Sequence, residues 1–179
     1  MSSRPCIFLD RDGVLNKSIV REGKPFPPRD YKEFEWIPGA IDTCLRLKRE
    51  GYLLVVVTNQ PDITSKLTTW KTVHQIHGEL LRQIPFNAIK VCVDLEESSP
   101  HKKPNPGMLL DAAKELGIDL KKSWMVGDRW RDIEAGERAG CRTVWIDCDY
   151  QEPDHPHFTV KSIQSAADII ISQKGKLDE

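Results

Sequence analysis

Apolar residues along the 179-residue chain fall into two alternating patterns. Short, nearly unbroken runs occur at residues 6–9, 52–57, 89–93, 124–126 and 143–146, several rich in Val and Ile. Runs of this kind predict strands buried on both faces, as in a parallel sheet. Between them the apolar positions recur at three- and four-residue spacing. Residues 38–50 carry Ile41, Cys44 and Leu45 on one face and are closed by Gly51, a good helix stop. Residues 68–84 place Trp70, Val73, His77, Leu80, Leu81 and Ile84 at helical spacing, an amphipathic helix. Asn105 and Pro106 read as an N-cap and a first-turn proline for a helix through Leu109, Ala112, Ala113 and Leu116, stopped by Gly117. A shorter helix is expected at 130–139, and 162–172 fits either a helix or a short helix followed by a strand. Strands alternating with helices predict an α/β, Rossmann-like three-layer sandwich around a central parallel sheet.

One stretch breaks the rhythm. Residues 16–36, with Pro25, Pro27 and Pro28, form an irregular segment long enough to suggest a functional flap. The length suits a single domain over 1–179, on a prior of about 150 residues per domain. Hydrophobic residues at 39% and charged residues at 30% match a folded soluble chain. Lys and Arg number 26 against 27 Asp and Glu, so there is no positive field of the kind nucleic acid demands. The longest apolar run, about five residues near Leu53 to Val57, is far short of the roughly 20 that span a bilayer. With no signal-peptide pattern at the N-terminus, a cytoplasmic location is expected. Five widely spaced cysteines without a C-x-x-C pair read as reduced, mostly buried thiols. His74 and His77 lie on one predicted helix; they could pair on a metal, though surface or core-edge histidines are the commoner case.

In open α/β sheets ligands bind beyond the carboxyl ends of the strands, and the residues found there are polar and reactive. Asp10-Arg-Asp-Gly-Val-Leu-Asn16 follows the first run and Thr58-Asn59-Gln60 the second. The third leads by a loop to Lys102-Lys103-Pro104, and the fourth to Gly127-Asp128-Arg129-Trp130-Arg131-Asp132. Singly, each has an ordinary explanation: a turn cap, a strand exit, a solvated lysine. In this order, as D-x-D-G, Thr, Lys and G-D-x-x-x-D, they resemble the four motifs of the haloacid dehalogenase-like (HAD) phosphohydrolases.

The resemblance implies a strand order 5-4-1-2-3, with the first strand between those ending at Thr58 and Asp128. It implies Asp10 as the nucleophile that forms an aspartyl-phosphate and Asp12 as general acid and base. Mg²⁺ would be held by Asp10, the Asp12 carbonyl and Asp128. Thr58 and Lys103 would stabilise the phosphoryl oxygens, and Asp132 would orient those groups from behind.

Around the motifs, residues 8–16, 31–40, 56–60, 103–108 and 125–128 resemble the heptose-bisphosphate and histidinol phosphatase branch, which has no separate cap domain. Recognition of a small phosphorylated metabolite would then fall to Ser18, Arg21, Asn59, Gln60, Lys102 and Arg129, in a protein expected to be monomeric. The branch pattern is broken twice. Pro61 to Lys66 replaces S-G-I-A-R-G, implying a different loop shape. The C-x-H and C-x-C zinc ligands are reduced to Cys92 and His101, so no structural zinc is expected. Heptose 1,7-bisphosphate leads the substrates, followed by histidinol phosphate and other small monoesters. Retention of all the motif residues disfavours a non-catalytic phosphate-binding protein, and the near-neutral charge disfavours a polynucleotide phosphatase relative.

Overall fold

The computed structural model describes residues 3–150, 152 and 158–176. Its centre is a six-stranded parallel sheet built from β1 (Cys6–Leu9), β4 (Leu53–Asn59), β5 (Ala88–Cys92), β6 (Trp124–Gly127), β7 (Arg142–Ile146) and β8 (Phe158–Val160), in the order β5-β4-β1-β6-β7-β8. Numbered as the five expected strands and read from β7 to β5, this is the implied order 5-4-1-2-3. The chain turns outward in both directions from β1, which makes the carboxyl ends of β1, β4 and β6 a crevice.

Alternation of side chains along the central strands builds two cores. Ile7, Leu9, Leu54 and Val56 point to one face and pack with α1 (Ala40–Arg49), α6 (Ile163–Ser172) and Leu80 of α3 (Trp70–Gln83). Cys6, Phe8, Leu53, Val55 and Val57 point to the other and meet α4 (Gly107–Leu116) and α5 (Trp130–Ala139). Every residue of β1 is buried, which is why the run is continuous rather than alternating. The five cysteines are free, as the sequence suggested; burial raises the Cys44 and Cys141 thiols to about 12.

Several local expectations change. The irregular 16–36 stretch contains a hairpin, β2 (Ile19–Arg21) with β3 (Lys24–Phe26), anchored where Asn16 bridges to Trp36. Asn105 does not cap α4, whose N-cap is Pro106. Its amide donates instead to the carbonyls of Glu97 and Ser99. Residues 162–172 settle as a helix because the Ser162 hydroxyl accepts from the Ser165 amide, an N-cap. The edge strand β8 escaped notice because it is only three residues long. A single helical turn follows β4 as well, α2 (Pro61–Thr64).

The apolar stripe of α3 is narrower than its spacing suggested. Leu80 is fully buried, whereas Leu81 is 52% exposed. Leu80→Ala is therefore expected to cost about 2–5 kcal/mol in urea denaturation and Leu81→Ala at most ~0.5 kcal/mol. Similar losses at both positions would contradict this placement of α3.

Candidate active site

Asp10 leaves the end of β1 with its amide bonded to the Val126 carbonyl of β6 at 3.0 Å. The chain then folds tightly around Arg11, whose carbonyl accepts from the Val14, Leu15 and Asn16 amides, the closest at 2.8 Å. Gly13 makes the turn possible. Its φ is +87°, and a Cβ there would lie 1.9 Å from Oδ2 of Asp128. From β4 come Thr58 and Asn59, from the end of β6 comes Asp128, and from the first turn of α5 comes Asp132. Lys103 reaches in from the loop between β5 and α4.

Lys103 is the hub. Its ammonium donates to Asp10 Oδ1 at 2.9 Å, to Asp132 Oδ1 at 2.6 Å and to the Val57 carbonyl at 2.8 Å, with 3% of the side chain exposed. Burial pushes the ammonium toward its neutral form, but Asp10 and Asp132 outweigh it and hold the group charged, above its ordinary range. Asn59 fixes the lysine's backbone reciprocally, donating to the Lys103 carbonyl and accepting from its amide, both at 3.1 Å. Asp132 spends its second oxygen on the Arg129 amide at 3.1 Å. With both oxygens engaged, Asp132 acts as a brace for Lys103 and the α5 N-terminus.

Asp10, Asp128 and Asp132 can bring oxygens within 4.8 Å of one another, the one such group of three among the described residues. Three buried carboxylates share one buried ammonium, an uncompensated charge that the interior does not tolerate. Both oxygens of Asp128 are buried without a hydrogen-bond partner. Desolvation first, and the neighbouring Asp10 and Asp132 next, drive Asp128 well above the carboxylate range; burial and Asp132 raise Asp10 likewise. Hard, convergent oxygen donors lacking positive charge fit a divalent cation.

Asp12 faces a different environment. Arg11 forks onto it, Nε to Oδ1 at 3.1 Å and Nη2 to Oδ1 at 3.0 Å. Asn16 Nδ2 donates to Oδ1 at 3.0 Å and Gln60 Nε2 to Oδ2 at 2.8 Å. Gln60 also donates to Thr58 Oγ1 at 2.9 Å and is fully buried, which places it as a support for Asp12 and Thr58.

Ser18, Asn59 and Arg129 line the cleft with Asp10, Asp12, Lys103, Asp128 and Asp132, joined by Pro25, Phe26 and Pro27 of the expected flap and by Arg131, which was not among the expected site residues. The apolar wall comes from the β2–β3 hairpin. Arg21 and Lys102 are placed elsewhere. Arg21 packs over Phe26 and pairs with Glu33 at 3.5 Å, while Lys102 donates to the Leu95 carbonyl and Glu97 at 2.6 and 2.8 Å. Arg131 pairs with the same Glu97 and Arg129 with Glu152. His74 lies against the Trp70 ring, and the buried His77 has its Nε2 3.2 Å from the Arg11 guanidinium. Cys92 is buried at the end of β5, and His101 bonds to Asp111 at 2.8 Å.

Comparison with known proteins agrees with this geometry. A family model for haloacid dehalogenase-like hydrolases matches residues 29–140. A D-glycero-beta-D-manno-heptose-1,7-bisphosphate 7-phosphatase of Mesorhizobium japonicum is 32% identical over 92% of this chain and 79% of its own. The enzyme of that name from Vibrio cholerae is 35% identical over 79% of this chain and 80% of its own. The crystal structure of D,D-heptose 1,7-bisphosphate phosphatase from B. bronchiseptica, complexed with magnesium and phosphate, superposes with a TM-score of 0.80. It covers 94% of this chain and 99% of that one at 24% identity, which speaks for the fold. The chain belongs to the haloacid dehalogenase-like hydrolases. Within them it is a phosphatase. No helix among the described residues is long and apolar enough to cross a membrane.

The raised carboxylates set a pH dependence. In metal-free protein the folded state keeps protons on Asp10 and Asp128 that the unfolded chain releases near the ordinary value of 3.8, so their contribution to stability is lost as pH rises through the folded values. A bound divalent cation compensates the charge. Melting curves in EDTA are expected to fall from pH 5 to pH 8, and the gain on adding Mg²⁺ to be larger at pH 8. Gly13→Ala, which drives a methyl into Asp128, is expected to remove that gain; an unchanged Mg²⁺ shift in this variant would refute the assignment.

Proposed function

We propose that the protein is a Mg²⁺-dependent phosphatase acting through an aspartyl-phosphate on a sugar phosphate, with heptose 1,7-bisphosphate and its 7-phosphate the first substrate to test. The observation that carries the chemistry is the buried, unpartnered carboxylate of Asp128 beside Asp10 and Lys103. Support for the sugar comes from the names of the relatives at 32–35% identity.

Asp10, Asp128 and the Asp12 carbonyl would hold Mg²⁺, which supplies charge neutralisation to a dianionic phosphate. A carboxylate oxygen of Asp10 attacks phosphorus as the ester P–O bond breaks, and Asp12 gives a proton to the departing alkoxide. The Asp12 carboxylate then takes a proton from water, whose oxygen attacks the same phosphorus. The bond to Asp10 breaks, inorganic phosphate leaves and both aspartates are restored. Lys103, held by Asp132 and Asn59, offsets negative charge at the reacting end throughout. The loop from Cys92 to Lys103 closes through Asp94 with Ser99, Lys102 with Glu97, and Asn105 with two carbonyls, and we read it as standing without zinc.

A second reading, a phosphomonoester carrying one phosphate such as histidinol phosphate, draws on the cations around the cleft. Arg129 is matched by Glu152, and Lys102 and Arg131 share Glu97, so two of these three positive charges are already neutralised.

Phosphate release with Mg²⁺ over a panel of sugar bisphosphates, sugar monophosphates and histidinol phosphate separates the two readings. Preference for heptose 1,7-bisphosphate favours the first, and preference for a monophosphate the second. Asp10→Asn is expected to abolish turnover while leaving the melting transition intact. Retention of a tenth of the wild-type rate would end the aspartyl-phosphate mechanism. Elemental analysis is expected to find no zinc; one equivalent per chain, lost on mutating Cys92, would overturn that part.

A further inference from the structure

Arg11 lies between the two aspartates of the first motif and is completely buried, which is costly for a guanidinium unless its donors are matched. Nε and Nη2 are spent on Asp12. Nη1 points the other way, to Nε2 of His77 at 3.2 Å, across 66 residues of sequence. Arginine has only donors, so His77 must accept at Nε2 and carry its proton on Nδ1. Burial, and then the adjacent Arg11 charge, lower its pKa to about 4, which agrees with a neutral ring.

His77 is set by the core. Val73, Ile76 and Leu80 of α3 are fully buried, and His77 lies on the same face, so the packing that fixes the helix also fixes the imidazole. The planar guanidinium transmits that position, because its fork fits the carboxylate in one plane. Its own carbonyl meanwhile anchors the 10–16 turn. The imidazole, the guanidinium and Asp12 thus form a line from a rigid helix to the group proposed to move protons.

We propose that His77 is a positioning residue for catalysis, acting through Arg11 to hold the Asp12 carboxyl in the orientation from which it exchanges protons with the leaving group and with water. This inference rests on the aspartyl-phosphate reading given above.

Leaving-group chemistry separates positioning from mere support of the fold. A sugar or alkyl phosphate needs a proton on its departing oxygen, whereas nitrophenolate leaves without one. Formation of the phospho-enzyme from p-nitrophenyl phosphate therefore bypasses Asp12 as acid, while its later hydrolysis still needs Asp12 as base. The experiment compares wild type, His77→Met and the near-isosteric His77→Gln, whose amide oxygen can accept from Arg11. It measures steady-state kinetics on the best sugar phosphate and the stopped-flow burst of nitrophenolate, both with Mg²⁺. In His77→Met, kcat on the sugar phosphate is expected to fall about tenfold or more, with KM and the burst rate constant within about twofold of wild type. His77→Gln is expected to recover most of the loss.

Equal losses on both measurements, no loss in His77→Met, or no recovery in His77→Gln would overturn the proposal. If His77→Met shows no folded transition, Arg11→Lys, which keeps the charge but not the fork, is judged by the same two measurements, and a folded Arg11→Lys with wild-type kcat overturns it too. Failure of the underlying mechanism looks different: wild type would give no burst, or Asp10→Asn would turn over.

Discussion

The arrangement depends on one electrostatic imbalance at the carboxyl edge of the sheet. Three carboxylates, Asp10, Asp128 and Asp132, are buried around a single ammonium. Burial of two more negative charges than positive ones is unfavourable for the isolated chain, and the surrounding structure exists to tolerate it. Asn59 clamps the backbone of Lys103, Asp132 ties the start of α5, and Gly13 leaves the space that Asp128 occupies. Much of the fold's polar detail at this edge maintains a site that is electrically incomplete.

The two aspartates of the first motif have different surroundings, which suit the different tasks proposed for them. Asp10 is packed against other acids and one lysine, and burial, then Asp132, push its carboxyl above the ordinary range. Asp12, two residues on, is surrounded by neutral amides and a guanidinium. A turn pivoting on Arg11 sends the side chains into these two environments. That separation is how identical functional groups acquire different tasks.

What could be read in the sequence follows from how locally each feature is encoded. β1, β4 and β6 are buried on both faces, so their apolar runs were unmistakable, and the polar residues ending them marked the crevice. β8 and the β2–β3 hairpin are too short, and Pro25 too discouraging, for a pattern to form. Asn105 looked like a helix cap, but its amide serves two loop carbonyls instead. Side chains joined only in three dimensions stayed hidden. His77 read as one position in a helical stripe, and Gln60 as a substrate contact, because nothing local connects α3 or β4 to Asp12.

The parallel register of the central strands also constrains how such a chain can diversify. Leu9 lies level with Val56 of β4 and with Val126 of β6, so the groups that follow these strands emerge at a common height. A residue inserted within any one of them would displace its chemistry by roughly 3.3 Å and turn the side chain to the opposite face. The hairpin over the cleft and the loop from Cys92 to Lys103 are bound by no such register. Lengthening or shortening is thus permitted at the periphery and forbidden at the centre, which lets descendants of one ancestor exchange the molecules they admit while the bond they break stays the same.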